Sequence, residues 1–408
     1  MADNKALSGL RVLEYADFIA GPYCGKLLGD MGAEVIKIEK PNVGDSSRTH
    51  GPFPQDIPHP EKSGLFLYLN VNKLGITLNV ESATGARILH QLLAHADIFI
   101  EDKPPPIMEK LGFSYPNLRK INPRAIMVSL TAFGQNGPYR DYSGYAINCS
   151  ALGGQTVCAG EPAREPLTPP LSLGHYQSGA AGATAAMAAL LAADITGEGQ
   201  QIDISESQVW ATLHTGNQES AFVMHGMKRM RWGHRTPGVY PYTILPCKDG
   251  FMSMIAIQGY QWKRFLELIG DGEVPGWYAN DPRFQDRREI SLKHANEMDS
   301  LLAPWLMSHT KEEIHRLCLE KRIPFCPVKN MKDVVEDEHL KVRQYFVEME
   351  HPLAGKLKYP GAPGKFSETP WEMHSPAPLL GEHNEEIYCH RLGYATEELT
   401  QLHRGGIV

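Results

Sequence analysis

The sequence contains seven cysteines, at 24, 149, 158, 247, 318, 326 and 389, but no Cys-x-x-Cys pair. A scattered, odd-numbered set excludes a zinc ribbon or a thioredoxin-type motif and points to reduced thiols in a cytoplasmic protein. Positive charge is not in excess either: 40 Lys and Arg face 47 Asp and Glu, a formal net charge of −7. Acids and bases are interspersed, which argues against a nucleic-acid groove. The opening stretch MADNKALSGLRV has no apolar core, so a secretory leader is not expected. The longest apolar run, residues 179–193, is mostly Ala and Gly and short for a bilayer span. It reads as a buried helix whose small side chains let other backbone come close. A Gly-x-Gly-x-x-Gly fingerprint after the first strand is also missing, which removes the argument for a bound dinucleotide and for a dehydrogenase.

What is present is an ordinary globular composition. With 408 residues, 42% apolar and 21% charged, the chain is long enough for two domains. Residues 10–15 read as a buried strand, followed by a Gly21–Pro22 turn, a helical stretch through Leu27, Leu28 and Met31, and a strand at 34–39. Gly32 stands where a helix C-cap is expected. The pattern recurs, with an amphipathic helix at 82–96 and strands at 97–101 and 125–130. Such alternation predicts an α/β fold with a mostly parallel, Rossmann-like sheet.

From about residue 224 the texture changes. Segments 240–245 and 251–257 read as a hairpin around Lys248-Asp249-Gly250, with helices near 261–269 and 311–321. The expected division is a large domain at 1–225, a smaller α+β domain at 226–340, and a C-terminal strap at 341–408 that returns to the large domain. Pro and Gly between 352 and 378 suggest an extended path over surfaces. Lys26, Lys37, Lys40 and Arg48 form a basic group that reads equally as an anion site or as a solvated face.

Several short motifs follow one another at compatible spacing. Ala20-Gly21-Pro22-Tyr23-Cys24 leads into Leu28-Gly29-Asp30-Met31-Gly32-Ala33-Glu34, then Gly44-Asp45-x-x-Arg48 and Leu69-Asn70-x-Asn72-Lys73. Asn122-Pro123-Arg124, Phe133-Gly134-Gln135-Asn136-Gly137-Pro138, Thr196-Gly197-Glu198-Gly199-Gln200, Ile323-Pro324 and Pro378-Leu379-Leu380-Gly381 continue the series. In this order they resemble the family III CoA-transferases (CaiB/BaiF type) along nearly the entire chain.

The resemblance implies an interlocked dimer, coenzyme A thioester as substrate, and no permanently bound cofactor. By position it implies CoA contacts at Lys40, Arg48, Lys73, Asp102, Lys103 and Lys110, where cations would neutralise phosphate. Asp102-Lys103 replaces the family's usual Asn-Phe and is followed by Pro104-Pro105-Pro106.

The resemblance also places His175, in Leu173-Gly174-His175-Tyr176, where active members carry the nucleophilic aspartate. That carboxylate becomes first a mixed anhydride and then an enzyme–CoA thioester. Imidazole has no carboxyl carbon to bear the CoA sulfur, and residues 166–193 contain no Asp or Glu. Ala146 likewise stands where relatives usually have an acid. A side chain that caps or packs at a helix start is the simplest reading of His175.

The resulting expectation is a non-catalytic subunit that pairs with a homologous chain carrying the aspartate, or with itself. It resembles the heteromeric benzylsuccinate-type transferases, which implies succinyl-CoA and an aromatic dicarboxylate as substrates. The alternatives are an α-methylacyl-CoA racemase-like enzyme, with Tyr145 and His175 at the acid–base positions, a CoA-binding scaffold homodimer, and an active enzyme altered at His175.

Overall fold

The computed structural model describes residues 5–213, 219–228 and 230–408. These divide into two compact units, one of residues 1–156, 168–227 and 341–408, the other of 157–167 and 228–340.

The larger unit is built on six strands: β1 (Arg11–Tyr15), β2 (Glu34–Glu39), β3 (Lys73–Thr77), β4 (Ile98–Glu101), β5 (Ile126–Thr131) and β6 (Gln201–Ser205). They pair in the order β3-β2-β1-β4-β5-β6, every pair parallel. Burial explains the strand composition. Val12 and Leu13 are both buried although they point to opposite faces, and so are Ile98, Phe99 and Ile100. A parallel sheet covered on both faces selects such continuous apolar runs.

The Leu173–Thr196 helix extends well beyond the 179–193 run, and by length and composition alone it would suit a bilayer. Its small residues nevertheless have a packing role. A Cβ on Gly179 would lie 2.6 Å from the Ala20 carbonyl oxygen, and one on Gly182 would crowd Leu130, Val128 and Cys24. The opposite face is open, with Leu191 and Ile195 67% and 86% exposed.

The sheet order reverses between β1 and β4, the switch point at which doubly wound sheets open a crevice beyond their C-terminal strand ends. Glu101, the last residue of β4, is fully buried there, and its Oε2 accepts the Lys103 N–H at 2.8 Å. Burial pushes its carboxyl up to about 7 from an ordinary 4.5. The folded chain therefore holds this proton more tightly than the unfolded one, and stability falls as pH rises from about 4.5 to about 7. Glu101→Gln is expected to stabilise the protein by about 3 kcal/mol at pH 8 and hardly at all at pH 4. Urea unfolding at the two pH values checks this.

The C-terminal segment returns to this unit as a hairpin of β10 (Phe346–His351) and β11 (Gly355–Pro360), so part of the expected strap is regular antiparallel structure. Residues 361–378 then run without helix or strand. Asn72 pins them: its Oδ1 accepts the N–H groups of His374 and Ser375, and its amide donates to the Glu372 carbonyl.

In the smaller unit β7 (Tyr242–Cys247), β8 (Gly250–Ile255) and β9 (Cys326–Pro327) form an antiparallel sheet. Met252, Trp262, Phe265 and Leu302 fill the core between it and its helices. Residues 157–167, which read from sequence as part of the large domain, belong to this unit. Arg231 explains the difference, because its guanidinium donates to the carbonyls of Val157, Glu161 and Arg164.

Candidate active site

A cavity of about 510 Å³ lies at the C-terminal edge of the six-stranded sheet, entirely within the larger unit. The strand ends supply its walls. Asp17 and Phe18 follow β1, Asp102 follows β4, Thr131 ends β5 and Glu206 follows β6. The first turn of the Leu173–Thr196 helix brings in His175.

His175 does not cap that helix, whose N-cap is Ser172; its side chain turns to Glu206 instead. Its Nδ1 lies 2.5 Å from Glu206 Oε2, a pair formed across 31 residues of sequence. Parallel pairing of β6 with β5 makes the contact possible, since it sets Glu206 at the strand end beside the helix start. The second oxygen, Glu206 Oε1, is sealed: it has neither accessible surface nor a hydrogen-bond partner. Gly174 makes room for it, because a Cβ there would lie 2.3 Å from both Glu206 Oε1 and Trp210 Nε1. Glu206 is thus held by the imidazole through Oε2, while neither its Oε1 nor the nearby Trp210 indole N–H has a hydrogen-bond partner among the described residues.

The other carboxylates of the cavity are also engaged. Asp17 Oδ1 accepts the N–H groups of Ser46 at 2.7 Å and Phe18 at 3.0 Å. Burial, and then the Asp45 charge, raise the Asp17 carboxyl above the usual range. Burial opposes the charge of Asp45 as well, but Lys37 at 2.6 Å prevails and holds it well below that range. Asp102 Oδ2 accepts the Asp17 N–H and its Oδ1 pairs with Lys103. Phe18 sits in the left-handed region at φ 65°, an uncommon state for a bulky residue, with its ring edge-on to His50 and His175.

The cationic positions singled out in the sequence have different surroundings. Lys40 and Lys110 are exposed. Arg48 is 1% exposed, binds Glu39 through Nε and Nη2 and pairs with Glu61. Lys73 is buried against Glu14, the Pro22 carbonyl and Asn70. Lys103 is half-buried on Asp102. Of the residues singled out, Asp102 and His175 line the cavity, whereas Arg48 and Lys73 spend their charge inside the scaffold. Tyr145 also lines it and is widely exposed; Ala146 begins a short helix beside it. Sequence reasoning missed Asp17, Glu206 and Trp210. Glu206 directly follows β6, a strand the sequence did not reveal, so no local signal marked it.

The fold and this cavity define a doubly wound α/β protein with a polar site at its switch point. The sequence profile of CoA-transferase family III matches residues 7–384. The chain is 32% identical over 403 residues to a succinyl-CoA–D-citramalate CoA-transferase of Chloroflexus aurantiacus, covering 98% of this chain and 97% of that one. It is 33% identical to the beta subunit of a succinyl-CoA–L-malate CoA-transferase from the same organism, over 97% of this chain and 96% of that one. A CaiB/BaiF family protein from Brucella suis superposes with a TM-score of 0.85 at 28% identity, covering 95% of this chain and 99% of that one. The chain belongs to CoA-transferase family III, and it is a transferase.

Proposed function

We propose that this chain is the nucleophile-deficient subunit of a CoA-transferase that moves CoA from succinyl-CoA to a dicarboxylic acid. The carrying observation is that an imidazole, paired with Glu206, stands at position 175, where the resemblance places the nucleophilic carboxylate. Of the carboxylates in the wall, Glu206 pairs with His175 and its second oxygen has no accessible surface, Asp102 pairs with Lys103 and accepts the Asp17 N–H, and Asp17 Oδ1 accepts two backbone N–H groups. His175 has no carboxyl carbon to carry CoA. The nucleophile then comes from a homologous chain in an interlocked dimer. The open apolar face of the long helix supports such an assembly, and so does the relative that is a beta subunit.

Succinyl-CoA is favoured as donor by the names of the relatives. Phe18, Phe133, Tyr142 and Tyr145 in the cavity wall favour an acceptor with an aromatic ring, benzylsuccinate being one such acid. Lys40 and Lys110, exposed and in no ion pair among the described residues, are the cations best placed to meet CoA phosphates, with Lys103 beside the cavity residue Asp102.

The test is purification from the native source, followed by a transfer assay. The expected outcome is an assembly with a homologous chain that transfers CoA, while this chain alone transfers none. Light scattering that finds a stable monomer, or transfer by the purified chain alone, contradicts the reading.

A further inference from the structure

The reading above leaves the His175–Glu206 pair without a task, yet the pair is built with care. Glu206 is 4% exposed, and a buried carboxylate is retained only where its partners are well placed. Its Oε2 takes the Nδ1 side of the imidazole. That contact fixes the tautomer with hydrogen on Nδ1 and leaves the lone pair on Nε2. Among the described residues Nε2 has no hydrogen-bond partner, and the ring lines the cavity. A carboxylate behind an imidazole whose other nitrogen faces a substrate cavity is the arrangement of a general base. Glu206 cannot itself be the attacking group, because its second oxygen has no accessible surface.

We infer that this transferase chain also carries an acyl-CoA hydrolase activity, with His175 as general base toward water and Glu206 as its positioning residue. The inference rests on the reading that an acyl-CoA enters this cavity, and its co-reactant is water. The water oxygen bonds to the thioester carbonyl carbon while its proton passes to His175 Nε2. The carbon–sulfur bond then breaks, and the thiolate takes up that proton, giving the free acid and CoA. No bond to the protein forms at any stage, so the absence of a carboxylate at position 175 is no obstacle.

The experiment uses the purified full chain with succinyl-CoA and no acceptor acid, following thiol release in water enriched in ¹⁸O. The expected result is release above the buffer rate, with one ¹⁸O entering each succinate. His175→Ala should lower the rate at least about a hundredfold. Glu206→Gln should lower kcat at least about tenfold with KM unchanged. It should also shift the His175 ¹⁵N resonances away from the Nδ1–H tautomer, a change that a merely structural role would not produce.

Melting curves with and without CoA separate the possible failures. A chain whose melting temperature rises with CoA but whose hydrolysis is absent, or is equal in His175→Ala, overturns the hydrolase inference and leaves the CoA reading standing. A folded chain that neither responds to CoA nor hydrolyses succinyl-CoA overturns both.

Discussion

Replacing Glu14 by Gln is expected to destabilise the protein by about 3–5 kcal/mol, the cost of leaving a buried charge without its partner. Glu14 and Lys37 face each other in register across β1 and β2, and both are fully buried. Glu14 Oε1 accepts from Lys37 Nζ at 3.0 Å, and its Oε2 accepts from Lys73 Nζ at 2.8 Å. Lys37 keeps Asp45 when Glu14 is neutralised, but Lys73 keeps only the Pro22 carbonyl and the Asn70 amide oxygen. Burial already lowers the Lys73 ammonium to about 8 while Glu14 opposes the shift, so loss of Glu14 lowers it further. Gln keeps the side-chain shape, so the effect reports charge rather than a cavity. Urea unfolding at pH 7 measures it. A loss under about 1 kcal/mol would mean that water reaches Lys73 in the folded chain.

The second large effect concerns catalysis in the proposed two-chain enzyme. Replacing the companion chain's aspartate by Asn should lower CoA transfer by a factor of thousands or more, as expected for a lost covalent catalyst. The size of the loss follows from this chain's cavity. The position where the nucleophile would stand holds His175, and Asp102 and Glu206 are engaged by Lys103 and His175, so this chain is not expected to take over. If most of the transfer survives in the Asn variant, a carboxylate of this chain is turning over.

The strands at β1, β2, β4 and β5 were legible because continuous Val, Ile and Leu runs between turn residues are what a doubly covered parallel sheet requires. β3 and β6 were not. Lys73-Leu74-Gly75-Ile76-Thr77 begins with a charge and contains a glycine, and Gly75 is there because a Cβ would lie 2.7 Å from Pro378. Gln201–Ser205 is polar at alternate positions and short. Both are placed by neighbours rather than by local propensity.

The site was legible only in part, for a similar reason. The resemblance marked position 175, but Glu206 reaches it through strand pairing across 31 residues. The cations were harder still. Arg48 and Lys73 fit a phosphate-binding pattern by sequence, yet Glu39 and Glu14 neutralise them internally. Opposite charges at matching positions of neighbouring parallel strands, Glu14 against Lys37, were the one clue that basic residues here serve the scaffold.

The central claim is that CoA is never carried covalently on this chain. The assembled transferase is incubated with succinyl-CoA, trapped with hydroxylamine or borohydride, and both chains are mapped by peptide mass spectrometry. Modification confined to the companion's aspartate is the predicted result. A hydroxamate or a reduced carboxyl at Asp17, Asp102 or Glu206 of this chain would contradict it.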